Sequence, residues 1–272
     1  MTFTKTLLAL CLVVIGSLGA ARAHDTWVET NTNLVRAGDS IRVDLCLGNH
    51  GNEHRDFKLA GKLDLGPATL SLIAPDGKRF DLKDRLIDTG YTPKEGFWTT
   101  TTGVAQTGLY TLAHTLDTVV SYAPERAIKS AKTYFVATKS LDKPAVPNGA
   151  FDRPLGHALE LVPLTNPVLP MGAGTVLRVR LLLHGKPLAG TRIAFIPRGA
   201  TLTEGIDARY ERTTDARGEA RLELKEAGAY LVVAHHDAPT ESGTWEGKPY
   251  QFTKYGATLT VFVPQVCACC GT

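Results

Sequence analysis

The chain has 272 residues, of which 43% are hydrophobic and 21% charged, with a formal net charge of +3. That supplies apolar material for a real core, and the charge is too balanced to argue for nucleic acid or an anionic membrane as partner. Beyond its start, no apolar stretch approaches the ~20 residues that a membrane helix needs.

The start has the make-up of a signal peptide: Lys5, the apolar run Leu7 to Ile15, then the small-residue site Ala21-Arg22-Ala23. Cys11 follows Leu10, where a lipoprotein cut wants a small residue. The expected product is therefore a soluble protein of the bacterial periplasm, cleaved after Ala23. The removed piece carries Lys5 and Arg22 and no acid, which takes the formal net charge from +3 to +1. Cleavage leaves His24 first. A terminal histidine offers an imidazole and an α-amino nitrogen of pKa about 7.7–8.0, and both can bind one transition-metal ion near neutral pH. The plainer alternative is that any residue can follow a cleavage site.

Gly38 to Leu47 alternates apolar and polar residues and then turns apolar, as a strand does on entering a core. A hairpin about Arg36–Asp39 pairs Val35 with Ser40 and, in the same register, Asp25 with His50. That brings His24 to the loop Asn49-His50-Gly51-Asn52-Glu53-His54, a His-x₃-His pair with an acid between. Imidazole suits Cu, Ni, Co and Zn, and a loop with glycine can bend two rings toward one ion. Histidines that simply face water are the plainer alternative.

Thr69–Ala74 reads as the next strand, closed by the turn Pro75-Asp76-Gly77. In the run Gly108 to His114, even spacing puts His114 on the face of Tyr110. It points either to the same end of the sandwich as His24 or into the core as a satisfied histidine, the commoner case. Residues 124–132, opened by Pro124, hold the one plausible helical turn, and Lys132–Ala137 is β-rich. From Lys139 to Gly156, Pro144, Pro147, Gly149 and Pro154 mark a linker. Ser140-Leu141-Asp142-Lys143 fits Ser-x-x-Lys without its companion motifs, a chance match. Phosphate-binding loops, the Gly-x-Ser-x-Gly elbow and His-Glu-x-x-His are missing from the sequence, which gives little reason to expect an enzyme.

The second half echoes the first. Gly174 to Leu183 repeats Gly38 to Leu47 at an offset of 136, and Gly228-Ala229-Tyr230 repeats Gly108-Leu109-Tyr110. Each Gly-x-Tyr resembles the tyrosine corner of immunoglobulin-like sandwiches. Further β-rich runs are Arg192–Ile196 and Thr258–Val263, with turns at Gly185-Lys186-Pro187 and Asp215 to Gly218. His235-His236-Asp237 ends a buried-looking strand. Neighbouring side chains point to opposite faces, so at most one histidine of that pair serves a given site. His157 and His184 read as surface. Beyond the signal the cysteines are Cys46, Cys267, Cys269 and Cys270, which allow three pairings. A soft-metal tail, a bond to Cys46 and a link to another molecule all stay open.

These patterns predict an all-β fold of two tandem antiparallel β-sandwiches, immunoglobulin-like or transthyretin-like. The expected parts are a signal peptide (1–23), an N-terminal sandwich (24–140), a linker (141–156), a C-terminal sandwich (157–264) and a cysteine-bearing tail (265–272).

The start His24-Asp25-Thr26-Trp27-Val28 and the runs Leu159 to Pro167, Gly185 to Gly190 and Thr214 to Gly218 together resemble a bacterial periplasmic family of unknown function. That family is often labelled a nickel-uptake substrate-specific component. The second half is also similar to carboxypeptidase-regulatory-like sandwiches. The resemblance implies periplasmic β-sandwiches linked to nickel or cobalt acquisition, with His24 as the matching position and Asp25 and Trp27 beside it. The label often includes a transmembrane region, which this chain lacks beyond its signal, so the expected role moves from transport to capture or delivery.

The expected function is binding or delivery of a divalent transition metal, Ni or Co first and Cu or Zn as alternatives. The expected ligands are His24, His50, His54 and His114, and the expected partner is a metal-uptake transporter or outer-membrane receptor. Two alternatives stand beside it. One is an interaction module presenting loops to a carbohydrate or an outer-membrane receptor. The other, ranked last, is a copper histidine brace that activates oxygen.

Overall fold

The computed structural model describes residues 24–48, 59–90, 92–145 and 150–265. The first half contributes β1 (Asp25–Thr30), β2 (Leu34–Arg36), β3 (Ser40–Gly48), β4 (Leu59–Gly61), β5 (Ala68–Ile73), β6 (Arg79–Asp81), β7 (Ile87–Asp88), β8 (Trp98–Gly103), β9 (Gly108–Val119) and β10 (Glu125–Thr138). The second half contributes β11 (Leu159–Pro163), β12 (Thr175–Leu183), β13 (Lys186–Pro187), β14 (Arg192–Pro197), β15 (Glu211–Thr213), β16 (Glu219–Leu224), β17 (Gly228–Ala238), β18 (Gly243–Trp245), β19 (Lys248–Tyr250) and β20 (Phe252–Val263). The fold is all-β and sandwich-like, as expected. No helix among the described residues is long and apolar enough to cross a membrane.

Each half has a small sheet, β1-β3-β8 or β11-β12-β16, packed on a larger one. The two larger sheets are joined edge to edge. Together they run β15-β14-β17-β20-β10-β9-β5-β6, nine strands once β2 is counted against β10. At the seam, β10 and β20 pair parallel from Glu125↔Phe252 to Thr133↔Thr260.

Strand faces decide the layering. Ala131, Phe135 and Ala137 of β10 pack with Val28, Ile41, Val43 and Leu45 of the first small sheet. Tyr134 and Val136, on the other face of β10, pack with Leu159, Leu161, Leu177 and Leu181 of the second. The two small sheets therefore cover opposite faces of the shared sheet. A half-turn about an axis along the seam relates such halves, because it keeps seam strands parallel while exchanging faces. Matching hydroxyl contacts follow the same relation: Thr258 Oγ1 donates to Thr26 O at 2.8 Å, and Ser130 Oγ donates to Leu159 O at 2.6 Å.

Both sequence echoes have a structural counterpart. The Tyr110 hydroxyl accepts the Gln106 N–H at 2.9 Å and donates to its carbonyl at 3.0 Å. The Tyr230 hydroxyl accepts the Glu226 N–H at 3.1 Å, four residues back in each case. Gly108 precedes its corner with φ of 134°, and an added Cβ would stand 2.9 Å from the Pro75 ring, so only glycine fits there.

Two local expectations are corrected. Residues 125–132 are strand rather than helical turn, because β10 is paired on both sides, by β9 and β20, and buried between layers. The tight hairpin at Arg36–Asp39 is also replaced. Residues 34–36 leave the first small sheet as β2 and pair with 136–138 of β10. The turn itself forms, with Asp39 N–H donating to Arg36 O at 3.0 Å, but its two arms lie in different sheets, and the β1–β3 register moves by two residues and sets Asp25 opposite Gly48 rather than His50.

Candidate metal centre

β1 is buried on both faces because it lies over the seam. Val28 turns into the first core, while Trp27 packs with Cys46, Ile196, Leu231 and Val233 on the second-half side. That alternation aims Asp25, two residues before Trp27, at the end of β17. The Asp25 carboxylate is 2% exposed, and its Oδ1 accepts a hydrogen bond from His235 Nε2 at 2.7 Å, with His235 38% exposed. The contact joins residues 210 positions apart in the chain.

Gly256 lies beneath this convergence. It pairs with His235 on one side and Lys129 on the other. A Cβ at Gly256 would lie 3.6 Å from Asp25 Oδ1, 3.8 Å from His235 Cδ2 and 3.8 Å from Lys129 Cγ. The bare backbone thus forms a floor over which three polar side chains meet. Lys129 is buried, and that burial pulls its ammonium below the ordinary lysine range, against the attraction of Asp25 and Glu125. Glu125 Oε2 accepts Lys254 Nζ at 2.9 Å beside it.

A family model described as "Domain of unknown function (DUF4198)" matches residues 21–238. The chain belongs to the DUF4198 family. No curated protein matches it. Among solved structures, this DUF4198 chain is similar to a DUF4785 family protein from Legionella pneumophila at 13% identity, over 76% of this chain and 50% of that one, with a TM-score of 0.28. It is similar to the ectodomain of mouse nectin-like molecule 4 at 12% identity, over 90% and 66%, with a TM-score of 0.23. It is also similar to the Yersinia pseudotuberculosis adhesin InvE at 12% identity, over 89% and 61%, with a TM-score of 0.24. The chain thus spans 50–66% of the length of these three structures. At such identities and scores they carry no argument about function.

Of the residues singled out in the DUF4198 sequence, His24 stands directly before β1, half-buried, one residue from the Asp25–His235 contact. His50 and His54 lie outside the described residues, as do Cys267, Cys269 and Cys270. β3, which leads into residues 49–58, ends at Gly48 beside Asp25. His114 shares the face of Tyr110, as its spacing predicts, and is fully buried. Its Nδ1–H donates to Thr69 O at 2.7 Å, which leaves Nε2 enclosed without a hydrogen bond. Burial above all, with smaller contributions from nearby His157 and Lys129, outweighs the Thr69 hydrogen bond and holds this imidazole neutral, with its pKa down at about 4.

His235 and His236 do point apart. His236 lies against Tyr255 on the opposite face, ring centroids 6.1 Å apart. His157, expected at the surface, is half-buried with Nδ1 enclosed, and burial lowers its pKa to about 4. Cys46 is buried beside Trp27, and burial raises its thiol well above the ordinary range. Sequence reasoning missed Asp25 with His235 as a pair. The parallel seam that brings β17 over to β1 has no local signature.

The chemistry of this donor set suits a borderline transition metal: imidazole and carboxylate, with the amine of a processed His24. His235 Nε2–H on Asp25 orients the ring and leaves Nδ1 as its ligating atom, the carboxylate–histidine arrangement common around metals. Among the described residues, no three His, Cys, Asp or Glu side chains gather around one point that could hold an ion. A centre here therefore needs the terminal amine or residues 49–58.

Proposed function

We propose that this DUF4198 protein is a periplasmic binder or deliverer of a divalent transition-metal ion, nickel or cobalt first and copper or zinc as alternatives. The ion would be held by the amine and imidazole of His24, by His235 Nδ1, and by His50 or His54. The observation that carries this reading is the Asp25–His235 contact beside His24. It places an oriented imidazole from the far half of the chain next to the residue that signal cleavage would make the N-terminus. His114, fully buried, would not ligate. A role in nickel uptake and a periplasmic location are parts of the same proposal.

The test is metal titration, by calorimetry, of protein processed after Ala23, compared with a variant carrying one alanine ahead of His24. The insertion keeps every side chain and moves only the amine. Chelation by amine and imidazole together predicts a loss of about tenfold or more in Ni²⁺ or Cu²⁺ affinity, each tenfold being ~1.4 kcal/mol. His235→Ala should weaken binding similarly. Equal affinity for all three proteins, or no binding of Ni²⁺, Co²⁺, Cu²⁺ or Zn²⁺, would overturn the proposal.

A further inference from the structure

At the opposite end of β1 from Asp25, the two halves enclose a cleft of about 420 Å³. This is within the range of small-molecule sites, roughly 300–1,000 Å³. Its floor is the seam itself, where Thr133 and Thr260 are paired. Thr133 Oγ1 donates to Thr260 O at 3.0 Å. The Thr260 hydroxyl, in a residue only 6% exposed, has no hydrogen-bond partner. A buried hydroxyl left that way is costly, and a ligand hydroxyl would relieve it.

The walls carry charge already balanced by neighbours. Arg42 Nε contacts Asp44 Oδ2 at 3.2 Å on the first-half side, and Arg198 pairs with Glu29 across the two halves. An ionic ligand would meet as much repulsion as attraction there. A neutral ligand bearing several hydroxyls can donate to the carboxylates and accept from the guanidinium groups at once. Phe262 lines the same cleft and is 46% exposed, a flat apolar surface beside polar walls. Such a ring fits the C–H face of a pyranose, whose hydroxyls then project toward the walls.

We propose that this cleft binds a neutral saccharide unit, with Thr260 and the flanking ion pairs reading its hydroxyls and Phe262 covering its apolar face. The site is independent of the metal reading, since it shares no residue with the Asp25–His235 contact.

Calorimetric titration with cellobiose, maltose and N,N′-diacetylchitobiose, with glucuronate and glucosamine as charged comparators, tests it. At least one neutral disaccharide should saturate a single site and bind more tightly than either charged sugar. Thr260→Val keeps shape and loses the hydroxyl, and should weaken that binding by about tenfold. Phe262→Ala, at an exposed position, should weaken it by about fivefold. Saturation by none of the three disaccharides, tighter binding of a charged sugar, or unchanged affinity in both variants would overturn the proposal.

Discussion

Lys132 of β10 and Glu160 of β11 form an enclosed ion pair between the halves, Nζ to Oε1 at 2.7 Å with both side chains 1% exposed. Glu160 also accepts the backbone N–H groups of Leu155, Gly156 and His157 at 2.6, 2.9 and 3.1 Å. One carboxylate therefore clamps the segment entering the second half onto the first. Glu160→Gln removes the charge, leaves the Lys132 ammonium buried without its counter-ion, and points an N–H₂ toward N–H donors. Removing one partner of a buried pair costs about 3–5 kcal/mol, a large part of the ~5–15 kcal/mol that holds a domain folded. Lys132→Met should cost less, about 1–3 kcal/mol, because three amide donors still solvate the carboxylate. Urea unfolding at pH 7.5 of both variants and the double variant reads these values. The two changes should be non-additive by more than about 1 kcal/mol.

Acid gives a second readout of the same contact. Burial alone would raise the Glu160 carboxyl, but Lys132 and the Leu155 amide outweigh it and hold it below the ordinary range. A depressed folded pKa means stability that is present above the unfolded value of about 4.3 and lost as pH falls below it. Glu160→Gln should lack that loss. A cost below about 1 kcal/mol for Glu160→Gln, with an additive double variant, would refute this account of the clamp.

Limited proteolysis should cut between residues 141 and 156, where no strand runs among the described residues. The two fragments should stay together on a sizing column, because β10 and β20 remain paired; separation without denaturant would contradict the seam. Unfolding free energy should fall as pH drops from about 6.5 to about 4, since His114 and His157 are protonated in the unfolded chain but not in the folded one over that window. For fully buried His114 the loss amounts to about 3 kcal/mol. His114→Asn keeps a donor for Thr69 O, and should reduce proton uptake on unfolding at pH 5 by about one; an unchanged uptake would rule out a neutral, buried His114. Metal affinity of the processed protein should decline below about pH 7, where amine and imidazoles take up protons, and a flat profile from pH 8 to 5 would exclude them as ligands.

What the sequence determined by itself was local and repetitive. Strand alternation, turn residues and the Gly-x-Tyr pair specify an all-β chain of two similar halves, because period-two burial and positive-φ turns act within a few residues of themselves. Period-two alternation was enough to put His114 on the face of Tyr110 and to set His235 and His236 apart. Three outcomes needed the assembled molecule. Residues 125–132 became strand because β20, over a hundred residues away, supplied a partner for their outer edge. The β1–β3 register shifted because β2 found pairing on β10 instead of closing a hairpin. Asp25 met His235 because a half-turn about the seam carries β17 under β1, where both side chains lie over Gly256. Propensity and pattern report which backbone a residue prefers. Which distant edge will satisfy that backbone's hydrogen bonds is decided only when all the sheets compete for partners at once.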